Sequence, residues 1–472
     1  MTNSPSLKKN FIMNAILTVS TFLFPMITFP YISRVLLPEG NGQVAFATAM
    51  ISYFSMAASL GIPTYGIRVC AQIRDDQEEL TRTVHEIFII NAVMTVLVYI
   101  VFFISVNTVT RFQSDKALFL VCSTTIFFNL LGMEWLYKAL EQYQYITVRS
   151  LIFKCLSICM MFLLVRSKED YIIYGGITVF AGAGANILNF LNLRHYISLK
   201  PCLPFRLTRH LKPILIFFAL SIATTIYTNL DIIMLGFISG DSEVGYYNSA
   251  VKIKIILTSF VTSLGAVLMP RISYYVENGM NKKYMSLIQK AFDFVLLSAL
   301  PLCVYFIVMA RESILFLSGE AYSRSVVPMQ IIMPTVLFIG LTNIIGIQLL
   351  VPLGKEKLVF LSTCIGAVAD TILNAVFIPR YGSIGAAIGT VTAELVVLII
   401  QLWMIAPKAS IIFSSLQLHK VLIALIPSTV ALSLVRALPI PGNLGLLLIC
   451  AISFFGVYGL ILLLLHYHFN FR

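Results

Sequence analysis

Fourteen apolar stretches, each close to the length that crosses a bilayer, constrain this 472-residue chain more than anything else in it. A spanning helix needs about 20 predominantly apolar residues. Candidates lie at 11–32, 44–60, 84–106, 117–135, 145–165, 171–193, 214–235, 244–269, 287–309, 328–350, 358–377, 385–405, 421–438 and 444–465. In lipid the backbone must satisfy its own hydrogen bonds, so runs of this length predict helices. The expected fold class is an all-α integral membrane protein of about fourteen helices. Charged residues make up only 11% of the chain, against about 25% in soluble domains, and a water-soluble enzyme is excluded. The net charge of +12 would suggest nucleic acid in a soluble protein. In a membrane protein it points to basic cytoplasmic loops, and no nucleic-acid partner is expected.

The apolar run after Lys8 and Lys9 contains Pro25 and Pro30 and lacks a small-residue cleavage site, so it reads as a first spanning helix rather than a cleaved leader. Of the 33 lysines and arginines, twenty fall on one side of this scheme, nine on the other and four within spans. The rich side includes the 194–212 connection, Lys408 and Arg472, so both termini are expected in the cytoplasm of a multi-pass protein of the bacterial cytoplasmic membrane. Pro25, Pro30, Pro301 and Pro334 are expected to kink or break their helices. The eight cysteines are scattered without a CxxC pair and read as buried, inert thiols. His466 and His468 form a stray alternation, and no metal site is expected.

The basic connection after the sixth span looks like a seam. GNGQVAFATA from Gly40 lines up with GDSEVGYYNSA from Gly240, matching Val44 with Val244 and Phe46 with Tyr246. This predicts two six-helix lobes related by a pseudo-twofold, at 1–200 and 201–410, followed by two additional helices at 411–472. Such a layout is typical of transporters with a site between repeats.

Ionisable groups near mid-membrane are costly, and so informative. At 1.5 Å per residue, Lys154 lies roughly 14 Å into its span, Lys252 roughly 12 Å, Asp370 roughly 18 Å and Glu394 roughly 14 Å. Lys252 and Lys254 project about 200° apart and cannot both face one cavity squarely. Lys252 shares its face with Gly245, Asn248, Ser249, Ser259 and Ser263, which selects it as the cavity cation, with Lys254 second. Asp231 and Arg34 sit near the outer ends of spans seven and one, where they could form a gate pair or simply anchor their helices. Asp370, with Asn374 at i+4, and Glu394, with Thr390 at i−4, could couple transport to protons or sodium, or could clamp helices and balance lysines. Glu134 and Lys138 make an ordinary i,i+4 pair, with Trp135 as an interface anchor. There is no GxxxxGK[ST] loop and no large outer loop carrying clustered acids or arginines, so neither an ATPase nor a glycan-processing enzyme is indicated.

Several stretches together resemble the polysaccharide repeat-unit flippases (Wzx type) of the multidrug/oligosaccharidyl-lipid/polysaccharide exporter superfamily. They include FPYISRVLLPEGNG at Phe29, EWLYKALEQYQYIT at Glu134, TNLDIIMLG at Thr228, VGYYNSAVKI at Val244 and LNAVFIPRYGSIGAAIGTVTAE at Leu373. The resemblance implies a twelve-helix, two-lobed core plus two helices, moving undecaprenyl-diphosphate-linked oligosaccharide to the outer leaflet for O-antigen or capsule synthesis, without a cofactor. A polysaccharide polymerase and a chain-length regulator would be its partners, besides membrane lipids. Carried over by position, the cavity cation falls on Lys252, the first-helix arginine on Arg34, the acid of the seventh helix on Asp231 and that of the twelfth on Glu394. Asp370 stands where the family often has Asn, so a coupling role there would be specific to this chain. Two other readings use the same features: a drug/cation antiporter, and a non-transport membrane component of a glycan pathway.

Overall fold

Residue after residue, the backbone closes its hydrogen bonds within helices. The computed structural model describes residues 7–200, 202–406 and 416–467, and among them there is no strand. Lys408, His468 and Arg472, used above, lie outside the described residues. Each of the fourteen apolar stretches falls on helix. Among the described residues ten helices are long and apolar enough to cross a membrane, or eleven if the bent pair 320–332 and 335–350 is one span. The difference from fourteen has identifiable sources. The first two stretches fall within one counted span that breaks at Leu37, Lys116–Gly132 is short, and Asp241–Glu277 is not among the ten. The chain is a multi-pass, all-helical membrane protein.

By internal packing the chain divides into two compact units, 1–245 and 246–472. The first unit opens with α1 (Leu7–Ser59), which runs through Pro25 and Pro30 and breaks at Leu37, where φ is 59° and ψ 178°. Leu37 precedes Pro38, whose ring clashes with a helical conformation at the preceding residue. So the predicted break comes from Pro38 rather than from Pro25 or Pro30. There follow α2 (Ile62–Gln72), α3 (Gln77–Thr108), α4 (Thr110–Ser114), α5 (Lys116–Gly132), α6 (Glu134–Ala139), α7 (Tyr143–Leu164) and α8 (Tyr171–Val179). A π-helical stretch, Phe180–Gly184, leads into α9 (Asn186–Asn192), and α10 (Thr208–Ile238) completes the set.

Lipid supplies no hydrophobic drive for helix association, so small residues and polar contacts decide the packing. A Cβ at Gly66 would sit 2.6 Å from the Trp135 ring, which fills the space between α2 and α6. Trp135 is therefore buried, at 5% exposure, and is not the interface anchor expected from its position; its burial depends on a glycine remote in sequence. The segments that read alike also meet: Gly42 packs on the Asp241 carbonyl and Gly245 on that of Pro38.

Polar clusters hold α10 at both ends. At one, fully buried Glu86 of α3 accepts from the Arg206 amide at 2.6 Å and meets Arg209 and His210 at 2.7 Å each, while the Tyr65 hydroxyl lies 2.7 Å from His210 Nδ1. At the other, Arg111 donates to the Gly236 carbonyl at 3.1 Å, pairs with Asp115 at 3.1 Å and with Asp241, and covers the Phe46 ring. Glu86→Ala would leave His210 Nε2 and the Arg206 amide without their acceptor. A loss of about 1.5–3 kcal/mol is expected for hydrogen bonds to a charged group, read as a lowered Tm in detergent with the helical circular-dichroism signal retained.

The second unit holds most of α11 (Asp241–Glu277), then α12 (Asn281–Val308), α13 (Ala310–Ser318), α14 (Val326–Ile332) and α15 (Thr335–Asn343). Pro301 lies inside continuous helix, whereas Pro334 falls at the break before α15. A second π-helical stretch, Ile344–Leu350, precedes α16 (Glu356–Tyr381) and α17 (Ser383–Met404), which form a tight hairpin. The final pair, α18 (Leu418–Arg436) and α19 (Asn443–Leu464), packs on α12 and α13. Tyr305 donates to the Leu447 carbonyl at 2.7 Å, and Arg436 reaches Glu312 at 2.9 Å.

Candidate functional site

The first unit holds an open cavity of about 580 Å³ between the second half of α1, α5, the α8 wall and α10. Its polar lining arrives in helical stripes. Thr48, Ser52, Ser55 and Ser59 follow one another at 4, 3 and 4 residues along α1, so they share a face. Ser221, Thr225 and Asn229 recur every fourth residue of α10, and Thr125 and Asn129 are one turn apart on α5. Thr178, Gly182 and Ala183 close the wall where α8 passes into π-helix. Among the described residues no lysine, arginine, aspartate or glutamate lines it. Reasoning from sequence missed this site because it ranked ionisable residues by depth; the stripe spacing was the available signal.

Behind the cavity Asn129 donates to Ser55 Oγ at 3.1 Å and accepts from Asn186 at 3.2 Å. Arg149, 3% exposed, holds Asn186 at 3.3 Å and Glu134 at 3.0 Å. Glu134 also pairs with Lys138 at 2.8 Å, so the expected i,i+4 pair exists and is extended inward by Arg149.

The predicted site residues fall outside this lining. Lys154, on α7, donates to Ser20 Oγ of α1 at 2.8 Å. Arg34 is exposed on α1 just before its break and donates to the Pro30 carbonyl at 2.5 Å. Asp231 is half-buried on α10, two residues beyond Asn229, and acts electrostatically on Tyr53 of α1.

In the second unit both lysines of α11 are partly buried. On the face that Lys254 shares with Tyr247, Ala250, Leu257 and Val261 each of those residues is at most 7% exposed, while on the Lys252 face Asn248 and Ser249 are equally buried and Ser259 and Ser263 are not. Tyr247 reaches Thr390 Oγ1 of α17 at 2.7 Å, and Ser249 pairs with Ser318 at 2.6 Å. Among the described residues Lys252 has no hydrogen-bond or ion-pair partner. Asp370 and Asn374 are buried on α16 against Gly389 of α17, where a Cβ would come 3.2 Å from Asp370 Oδ1. Glu394 is buried one turn from Thr390.

The cysteines are more varied than expected. Four are buried, but Cys155 and Cys159 are exposed on α7, where a membrane-facing surface tolerates an apolar thiol. No group of metal-ligating side chains occurs among the described residues.

Comparison with known proteins fits this architecture. Residues 7–276 match the family model described as polysaccharide biosynthesis protein. A relative from Escherichia coli K12, named "Putative O-antigen transporter", is 25% identical over 400 residues, covering 84% of this chain and 96% of its own. The structure of the lipid II flippase MurJ in an inward closed conformation superposes with a TM-score of 0.79 at 15% identity, over 96% of this chain and 99% of its own. An inward-facing multidrug resistance MATE transporter of the MOP superfamily gives a TM-score of 0.65 at 14% identity, over 83% and 95%. The chain belongs to the polysaccharide biosynthesis protein family, and it shares the fold of these flippase and MATE structures.

Proposed function

We propose that this chain translocates an undecaprenyl-diphosphate-linked oligosaccharide repeat unit from the inner to the outer leaflet of the cytoplasmic membrane by alternating access, with both termini in the cytoplasm. The observation that carries this reading is Lys252. A partly buried lysine without a protein partner among the described residues is costly in a spanning helix, and an anion such as the diphosphate would offset that cost. Lys154, Arg34 and Lys254 are secondary cations for the same anion, with Arg34 and Asp231 acting at the gate. The O-antigen transporter named among its relatives supports an oligosaccharide cargo. O-antigen or capsule would be its destination, and a polymerase with a chain-length regulator would receive it.

The test is the leaflet at which cargo accumulates. A strain lacking the chain should hold single lipid-linked units on the cytoplasmic leaflet, and plasmid-borne wild type should release them. Units already exposed on the outer leaflet of that strain would instead indicate a polymerase.

Energy input is assigned to Glu394 and Asp370, whose burial lets a bound proton or sodium ion neutralise a membrane charge. Glu394→Gln and Asp370→Asn should each make transport in proteoliposomes insensitive to an imposed ion gradient while slow equilibration persists. Unchanged gradient dependence in both variants would reduce the two acids to helix clamps.

A further inference from the structure

The charge-free cavity of the first unit has a hydrogen-bonding polarity of its own. The Thr48 hydroxyl donates to the Val44 carbonyl at 2.8 Å, Ser52 to Thr48 at 2.8 Å, Ser59 to Ser55 at 2.6 Å and Thr178 to Tyr174 at 3.0 Å. Asn229 directs its amide nitrogen to the Thr225 carbonyl at 3.1 Å and to Thr228 Oγ1 at 3.0 Å. With those donors directed into the protein, these side chains present oxygen lone pairs to the space between them. A lining rich in acceptors and lacking cations suits a ligand that brings O–H or N–H donors. A phosphate or carboxylate would find no counter-charge in this lining, whereas an uncharged hydroxyl or amide needs none.

Size and shape agree with occupancy by part of a ligand. The cavity volume, about 580 Å³, falls within the range of roughly 300–1,000 Å³ usual for small-molecule sites. The π-helical wall, a geometry frequent at functional sites, exposes Gly182, and a Cβ added there meets no atom within 4 Å. Buried Arg149 holds Asn186, which holds Asn129, so the far wall is fixed by a chain of hydrogen bonds rather than by mobile side chains.

We propose that this cavity is a saccharide site that takes an uncharged, hydroxyl- or N-acetyl-bearing sugar residue of the cargo and excludes its diphosphate. The cargo's identity rests on the flippase reading above; the chemistry of the cavity does not.

Two measurements separate the claims. In the complemented deletion strain, Gly182→Phe should lower surface glycan at least tenfold at normal protein level, while Gly456→Phe, in open space and outside the cavity lining, should match wild type. On purified protein in nanodiscs, saturation-transfer NMR should detect N,N′-diacetylchitobiose with wild type, and should lose it with Gly182→Phe and with the milder Ser52→Ala/Ser59→Ala double variant. Sodium glucuronate should give no signal, and undecaprenyl diphosphate should bind Gly182→Phe as it binds wild type. Chitobiose signal unchanged in both variants, or glucuronate bound as well as chitobiose, overturns the saccharide site. Should wild type fail to restore glycan while chitobiose still binds in the cavity, the flippase reading falls and the site stands.

Discussion

Lys252→Ala is expected to lower surface glycan about 10- to 100-fold, the effect of removing one charge-assisted contact of about 1.5–3 kcal/mol, with protein level and Tm unchanged. Stability should hold because among the described residues Lys252 has no partner to leave unsatisfied, and alanine is a better helix former. Lys252→Arg should retain part of the activity, since it keeps the charge while altering reach and hydrogen-bond geometry. Lys254→Ala provides the contrast. It continues the face of Tyr247, Ala250, Leu257 and Val261 and should alter Tm more than export. Full glycan display by Lys252→Ala would remove this cation from the mechanism, and equal loss in both alanine variants would mean that neither face of α11 is special.

Gly42→Ala should unfold or strongly destabilise the first unit, by about 3–4 kcal/mol. A Cβ there would fall within the Asp241 carbonyl, and the clash is with backbone, which cannot rotate away as a long side chain could. Neighbouring Gly245 meets the Pro38 carbonyl in the same way, so relief at one position would push strain into the other. Low yield or an early melting transition in detergent is the expected result. The control is Gly182→Ala, which has open space and should melt with wild type. If Gly42→Ala melts normally, the two helices have room to separate at this point, and their contact contributes little.

These two expectations separate what was legible in the sequence from what was not. Lys252, Asp370 and Glu394 were nominated without coordinates, because an ionisable residue deep in an apolar run is conspicuous and its cost in lipid is general. The choice of Lys252 over Lys254 came from helical phase, and burial by itself does not separate the two faces, since Asn248 and Ser249 on the first are as buried as Tyr247 and Ala250 on the second. Trp135 was misread because its fate depended on Gly66, distant in the chain and apposed only after folding. The break in α1 was assigned to the wrong prolines, since Pro25 and Pro30 are accommodated within helix while Leu37 before Pro38 is not.

By itself the sequence determined the class of fold, the membrane setting, the family resemblance and the charged candidates. Each follows from local quantities: apolar run length, backbone self-satisfaction in lipid, and the depth of single residues. Tertiary structure alone decided which weakly polar residues face one another. Serines, threonines and asparagines are common in spanning helices, and only packing of α1, α5, α8 and α10 brings ten of them around one charge-free cavity. That packing depends on glycine-permitted approaches and on buried partners far apart in sequence, such as Glu86 with Arg209 and Arg149 with Asn186.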